Sequence, residues 1–164
     1  MKKITKILAT AAAALALFVS VNANAQGTRK FGIGLNAGAG TGTAESFAIV
    51  GDIRYQLDVA KQLSIPITAG YTNVSLKDEY GGGSFGYIPV KAGLKYFFNG
   101  SGAGAYGLGE IGAAFSTTSG GGTSFVNSPA IGYAWSNGLD LGAKYEGYDG
   151  GGYVGLRLAY GFKL

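Results

Sequence analysis

The chain has 164 residues, 47% of them hydrophobic and 31 of them glycine, and it contains neither cysteine nor histidine. The missing cysteine excludes disulfides, thiol catalysis and zinc-thiolate sites, and the missing histidine excludes Ser-His and Cys-His mechanisms and the commonest metal ligand. The formal charge of +4 is set largely by the N-terminus and implies no basic binding surface.

Residues 1–25 read as a cleaved signal peptide. Lys2, Lys3 and Lys6 form a basic segment, Ile7 to Val21 an apolar one, and Ala23-Asn24-Ala25 before Gln26 a small-x-small cleavage site. The apolar run falls short of the roughly 20 residues a membrane-spanning helix needs. Of the 13 Lys and Arg three lie in this leader, leaving ten against nine Asp and Glu, so no nucleic-acid partner is expected. Residues 26–164 are of a length for one domain. Their glycine content has no collagen-like period, and glycine inside strands marks bends, bulges and close backbone approach.

From there the chain alternates with a period of two, the signature of strands between two unlike environments. The first strand, Lys30 to Ala39, sets Phe31, Ile33, Leu35, Ala37 and Ala39 against Lys30, Gly32, Gly34, Asn36 and Gly38. After a loop at residues 40–46, the second, Phe47 to Leu57, sets Phe47, Ile49, Ile53, Tyr55 and Leu57 against Ala48, Val50, Asp52, Arg54 and Gln56. A short link, 58–62, leads to a third strand from Leu63 to about Thr72, and the most charged loop, 75–84, follows.

The fourth strand, Phe85 to Phe98, sets Ile88, Val90, Ala92, Leu94, Tyr96 and Phe98 against Tyr87, Pro89, Lys91, Gly93, Lys95 and Phe97. Asn99-Gly100 reads as a tight turn. In the fifth strand, Ala103 to Phe115, pairing Phe98 with Ala103 turns Glu110 inward directly opposite Lys91, with Tyr106 and Leu108 inward beside it.

A Gly/Ser/Thr loop, 116–124, precedes a sixth strand from Phe125 to Trp135, and Ser136-Asn137-Gly138 suits a three-residue hairpin with glycine in the left-handed position. The seventh strand sets Leu139, Leu141, Ala143 and Tyr145 against Asp140, Gly142, Lys144 and Glu146. After a loop at 147–152, the eighth, Tyr153 to Leu164, sets Val154, Leu156, Leu158, Tyr160 and Phe162 against Gly155, Arg157, Ala159, Gly161 and Lys163. Eight strands of about this length match tilted strands that cross a bilayer, roughly 9 to 11 residues each.

Alternation leaves open which face is outside. Aromatics on the apolar face gather near strand ends, with Tyr55, Tyr96, Phe98, Trp135, Tyr160 and Phe162 at one rim and Phe47, Tyr71 and Tyr145 at the other. Interfacial aromatic girdles of membrane barrels are placed in this way. Links 58–62, 99–102 and 136–138 are short, whereas 40–46, 75–84, 116–124 and 147–152 are mostly longer, as periplasmic turns and external loops are. The expected fold class is all-β: an eight-stranded antiparallel transmembrane barrel in up-and-down order.

Particular stretches carry a resemblance. The leader ending Ala-Asn-Ala-Gln, the run Tyr87-Ile-Pro-Val-Lys-Ala-Gly-Leu-Lys-Tyr-Phe-Phe98, the run Leu139-Asp-Leu-Gly-Ala-Lys-Tyr-Glu-Gly-Tyr148 and the closing Gly-Leu-Arg-Leu-Ala-Tyr-Gly-Phe resemble the small outer membrane β-barrel family. The chain is similar in size and plan to OmpA/OmpX-type eight-stranded barrels. The resemblance implies an integral protein of the bacterial outer membrane, in contact with its lipids and handled by the outer membrane assembly machinery through the C-terminal strand. The family's acyltransferase and deacylase members rely on histidine, so no enzyme is implied.

The candidate site is the charged face. Asp52, Arg54, Lys91, Lys95, Glu110, Lys144, Glu146 and Arg157, with Asp140 and Lys163, all fall inward in this reading. An eight-stranded barrel is just wide enough for side chains to fill, and buried charges must pair, so a plugging ion-pair network is expected. Such a barrel would have a structural or surface-interaction role, with residues 75–84 and 116–124 as the loops for a surface ligand. Two alternatives stay open: a narrow channel for ions or small polar solutes lined by the same charges, and a soluble exported ligand-binding barrel with its apolar faces turned inward. No catalytic residue, metal site or cofactor is expected. Pro66 and Pro89, on adjacent strands, each remove a ladder donor, which reads as a bulge or a lateral opening.

Overall fold

The computed structural model describes residues 28–118 and 120–164; the expected signal peptide, residues 1–25, lies outside them. Eight strands follow one another: β1 (Arg29–Gly40), β2 (Glu45–Asp58), β3 (Leu63–Leu76), β4 (Ser84–Phe97), β5 (Gly104–Ser116), β6 (Thr123–Ala134), β7 (Leu139–Tyr148) and β8 (Gly151–Lys163). Each pairs antiparallel with the next, and β8 pairs with β1, from Lys30 opposite Lys163 to Gly40 opposite Tyr153, so the meander closes into a barrel. Closure pairs the two edge strands that an open sheet would expose, one of the two ways a backbone is satisfied in hydrocarbon.

The pleat sorts side chains between two environments. Leu35 is 68% exposed, Ile131 67% and Leu156 63%, whereas Lys95 and Glu110 are 2% exposed and Glu146 is fully enclosed. Apolar side chains therefore form the outer surface and charges the interior, the reverse of a barrel dissolved in water. The soluble alternative required the apolar faces to turn inward, and this orientation contradicts it.

Four details depart from the sequence reading. The expected loop at 147–152 shrinks to Asp149 and Gly150, because Gly147, Tyr148, Gly151 and Gly152 all join the β7–β8 ladder. Gly150 has φ +93°, a left-handed conformation that favours glycine at this turn. Likewise β3 and β4 run on to Ser75 opposite Ser84, so the charged loop narrows to a single 3-10 turn, Asp78–Tyr80, followed by three positive-φ glycines.

The β4–β5 connection is longer than an Asn99-Gly100 turn. Phe98 N–H donates to the carbonyl of Ala105 at 3.0 Å, and the left-handed positions are Gly102 (φ +67°) and Gly104 (φ +107°) instead of Gly100. The register moves two residues with it, setting Glu110 opposite Gly93 and Lys91 opposite Gly112. Each long inward side chain thus faces a glycine across the ladder, which relieves crowding in a narrow lumen. A Cβ at Gly93 would run into the carbonyl of Gly109.

The fourth detail is a bulge in β2 between Glu45 and Phe47. A bulge inserts one residue and so reverses which parity faces inward. The prolines also leave their mark. β3–β4 pairing skips Ile65 and Pro66 opposite Gly93 and Leu94, and again Gly70 and Tyr71 opposite Ile88 and Pro89. Pro129 interrupts β6–β7 in the same way, where pairing jumps from Asn127 opposite Gly147 to Ala130 opposite Lys144.

Candidate functional site

Four of the carboxylates on the enclosed face are those expected from the sequence, and each accepts from at least two donors. Arg157 approaches Asp52 with Nη2 at 2.7 Å and Nε at 3.2 Å, and Asn36 adds its Nδ2 at 2.7 Å. Glu110 accepts from the Thr68 hydroxyl at 2.6 Å and from Arg54 Nη2 at 3.3 and 3.4 Å. Asp140 accepts from Lys95 Nζ and from the Tyr106 hydroxyl, both at 2.6 Å. Glu146 is shared by Lys91 and by Lys144, the latter at 2.9 Å, with the Tyr87 hydroxyl at 3.1 Å.

Strand geometry explains how partners so distant in sequence meet. Residues of one parity share the inner face of every strand, and Asp52 and Arg157 belong to β2 and β8, either side of β1. Lys95 also lies over the Tyr106 ring at 3.8 Å from its centre, a second favourable placement for the cation. Buried charges need such multiple partners, since desolvation of a lone ion costs several kcal/mol.

The structure brings together Asp52 with Arg157, Arg54 with Glu110, Lys95 with Asp140, and Lys91 and Lys144 with Glu146. It does not bring Lys91 opposite Glu110, because of the two-residue register shift. Lys163 is not enclosed but exposed, opposite Lys30 at the rim.

One interior acid escaped the sequence reading. Glu45 is buried and accepts from the Tyr148 hydroxyl and from the backbone N–H groups of Gly42 (3.0 Å) and Gly152 (3.1 Å), tying β2 to β7 and β8. Counting back by twos from Asp52 places Ser46 inward, and only the bulge turns Glu45 in instead. No local signal in the sequence marks that bulge.

Asp52, Glu110, Asp140 and Glu146 are each engaged by at least one cation and by a hydroxyl or amide donor. Among the described residues no three Asp or Glu side chains are grouped as a metal ion would require.

Two cavities open from opposite ends. The one at the short-turn end has a volume of about 610 Å³ and reaches down to Arg54, Lys95, Asp140 and Arg157. The one at the loop end, about 370 Å³, is bounded by Glu45, Phe85, Tyr87 and Tyr148. They share no lining residue, and Asp52, Lys91, Glu110, Lys144, Glu146 and Tyr153 line neither. That layer separates them.

On the outer surface, Tyr55, Phe31 and Phe162 fall in one row across β2, β1 and β8. Tyr96 stacks edge-on with Phe98, Trp135 packs beside Tyr133, and Tyr160 meets Phe162 at 4.9 Å, all around the short-turn end. At the other end Phe47, Ala39, Val154 and Tyr145 make a row across β2, β1, β8 and β7. Tyr71 is exposed opposite Gly51, with its hydroxyl over Gly86 of β4.

No protein-family model and no curated protein sequence matches the chain. Solved structures do. The outer membrane protein Ail of Yersinia pestis in a phospholipid nanodisc is 17% identical with a TM-score of 0.59, over 84% of this chain and all of that one (100%). The N-terminal barrel domain of Pseudomonas aeruginosa OprF is likewise 17% identical with a TM-score of 0.59, over 84% and 100%. A designed transmembrane β-barrel is 15% identical with a TM-score of 0.55, over 85% and 98%. The likeness is one of fold: this chain shares the closed eight-stranded architecture of these transmembrane barrels.

Proposed function

We propose that the protein is an integral barrel of a bacterial outer membrane whose lumen is plugged, acting without catalysis as a structural or surface-interaction protein. Residues 1–25 serve as its signal peptide and residues 26–164 as the mature barrel. The observation that carries the reading is the layer of Asp52, Lys91, Glu110, Lys144 and Glu146 between two cavities that share no wall. Side chains that neutralise one another across the lumen leave little room for a hydrated solute.

The outer surface supports the location. Tyr55, Tyr96, Phe98, Trp135, Tyr160 and Phe162 at one end, with Phe47, Tyr71 and Tyr145 toward the other, act as girdles at the two lipid-water interfaces. The C-terminal strand β8, apolar outward from Val154 to Phe162, is the segment we assign to recognition by the assembly machinery. Residues 75–84 and 116–124 are the segments available to a surface ligand. They rest on a rigid scaffold, which is where recognition loops are found.

The test is conductance of the refolded mature protein, residues 26–164, in a planar bilayer, with insertion verified by the heat-dependent gel shift of a folded barrel. Inserted protein with no discrete current steps is the expected result. Steps whose ion selectivity changes in Lys91→Ala or Glu110→Ala would replace the plug with a narrow channel for ions or small polar solutes.

A further inference from the structure

The charges are unevenly distributed along the barrel. Glu45, Asp78, Glu79 and Asp149 lie at the loop end, where Lys77 is the one described cation. At the short-turn end the sign reverses: Arg29, Lys30, Lys61, Lys95 and Lys163 stand against the acidic side chains of Asp58 and Asp140. The residues preceding Thr28 contain no Asp or Glu that could offset this.

The cavity of about 610 Å³ opens at that basic end. Its wall includes six cations, Lys30, Arg54, Lys61, Lys95, Arg157 and Lys163, against two acids, Asp58 and Asp140. Lys30 is held by Asp58 at 2.8 Å, and Lys95 by Asp140. Arg54 and Arg157 face Glu110 and Asp52 behind the wall. Lys61 and Lys163 have no acidic partner among the described residues and stand exposed at the mouth. At the floor Arg54 is 6% exposed, and its Nη1 has no acceptor among the described residues although its Nε and Nη2 are both used. A buried donor without an acceptor costs on the order of 1–3 kcal/mol.

We propose that this vestibule binds a small multivalent oxyanion, with the guanidinium of Arg54 at the floor and Lys61 and Lys163 at the entrance. Low-dielectric walls of one sign focus their field into a cleft and concentrate counter-ions there. Arginine's planar fork suits carboxylate and phosphate oxygens, and the free lysines supply charge without a fixed geometry. The site is independent of whether the loops at the other end bind anything, and it requires no passage through the plug.

The experiment is a titration of the refolded mature barrel, in zwitterionic detergent, with pyrophosphate and with citrate at constant ionic strength, followed through the backbone amide signals of Gly32, Gly102 and Gly161. These three glycines line the cavity. Saturable shifts confined to them are expected with at least one of the two anions, and which anion binds tells phosphate from carboxylate chemistry. Lys61→Ala and Lys163→Ala, both at exposed positions that leave the ion-pair layer untouched, are each expected to weaken binding by roughly two- to fivefold. Arg54→Gln is expected to weaken it by more than about tenfold. Lys77→Ala at the opposite end should change nothing. Absence of saturable shifts with both anions, equal shifts at Gly42 and Gly150 of the other cavity, or rim variants that bind like the parent would each overturn the proposal.

Discussion

Glu146 shows how the interior depends on single residues. It is fully enclosed and, among the described residues, is the only acid that Lys91 and Lys144 both reach. Replacing it by glutamine removes the carboxylate that both ammonium groups contact and leaves them facing each other in the enclosed lumen. Breaking a buried ion pair by removing one member costs about 3–5 kcal/mol. Glu146→Gln should therefore lower the urea midpoint of the refolded barrel sharply, whereas Glu79→Gln, on the exposed 3-10 turn, should stay within about 0.5 kcal/mol of the parent. Equal midpoints for the two variants would show that the Glu146 cluster contributes nothing to stability. That Glu146 lies on the inner face could be read from its parity with Asp140 and Lys144. Its attachment to Lys91 of β4 could not, because the two are 55 residues apart and no pattern in either strand refers to the other.

At the scale of strands, the β4–β5 hairpin separates what composition suggests from what packing selects. Asn-Gly is the strongest short-range hairpin signal, yet the chain turns at Gly102 and Gly104 and leaves Gly100 in a conformation any residue adopts. A methyl group added at Gly100 meets nothing within 4 Å. Gly100→Ala should be neutral to within about 0.5 kcal/mol. Gly102→Ala, which forces a side chain into the left-handed region, should cost about 1–2 kcal/mol in the same unfolding measurement. Equal costs would mean that the turn sits at Asn99-Gly100 after all. The inward face of β5 was recoverable from sequence because a two-residue slip preserves it. The partners were not, since the slip is decided by where glycines can stand opposite Glu110 and Lys91.

For the molecule as a whole, the exposed apolar surface is suited to lipid, and the proposed girdles place its two borders at the aromatic rows. Trp135 is the one tryptophan of the chain, and it sits on the outer surface at the short-turn end, packed against Tyr133 with ring centres 4.7 Å apart and planes tilted by 56°. In vesicles its fluorescence should be quenched more strongly by lipids brominated near the head group than by lipids brominated near the chain ends. The opposite order would place that rim deep in the hydrocarbon and contradict the girdle. The opposed charge of the two barrel ends is also a property of the assembled molecule, because Arg29, Lys61 and Lys163 come from three separate parts of the chain.

The strands and the two faces of each were legible in the amino-acid order. Period-two alternation is local and each strand carries it independently, whereas the outward turn of the apolar face rests on the aromatic rims and the alternating link lengths, because alternation fits either orientation. The three-residue hairpin at Ser136-Asn137-Gly138 was also legible, since Gly138 alone there tolerates φ +99°. The tertiary structure alone decided the pairings. Asp52 meets Arg157 across 105 residues, Glu45 turns inward through a bulge, and Gly147 and Gly152 become ladder residues instead of loop. Each of these depends on register, and register is set by the fit of two strands against each other inside a closed ring, a quantity that no single segment contains.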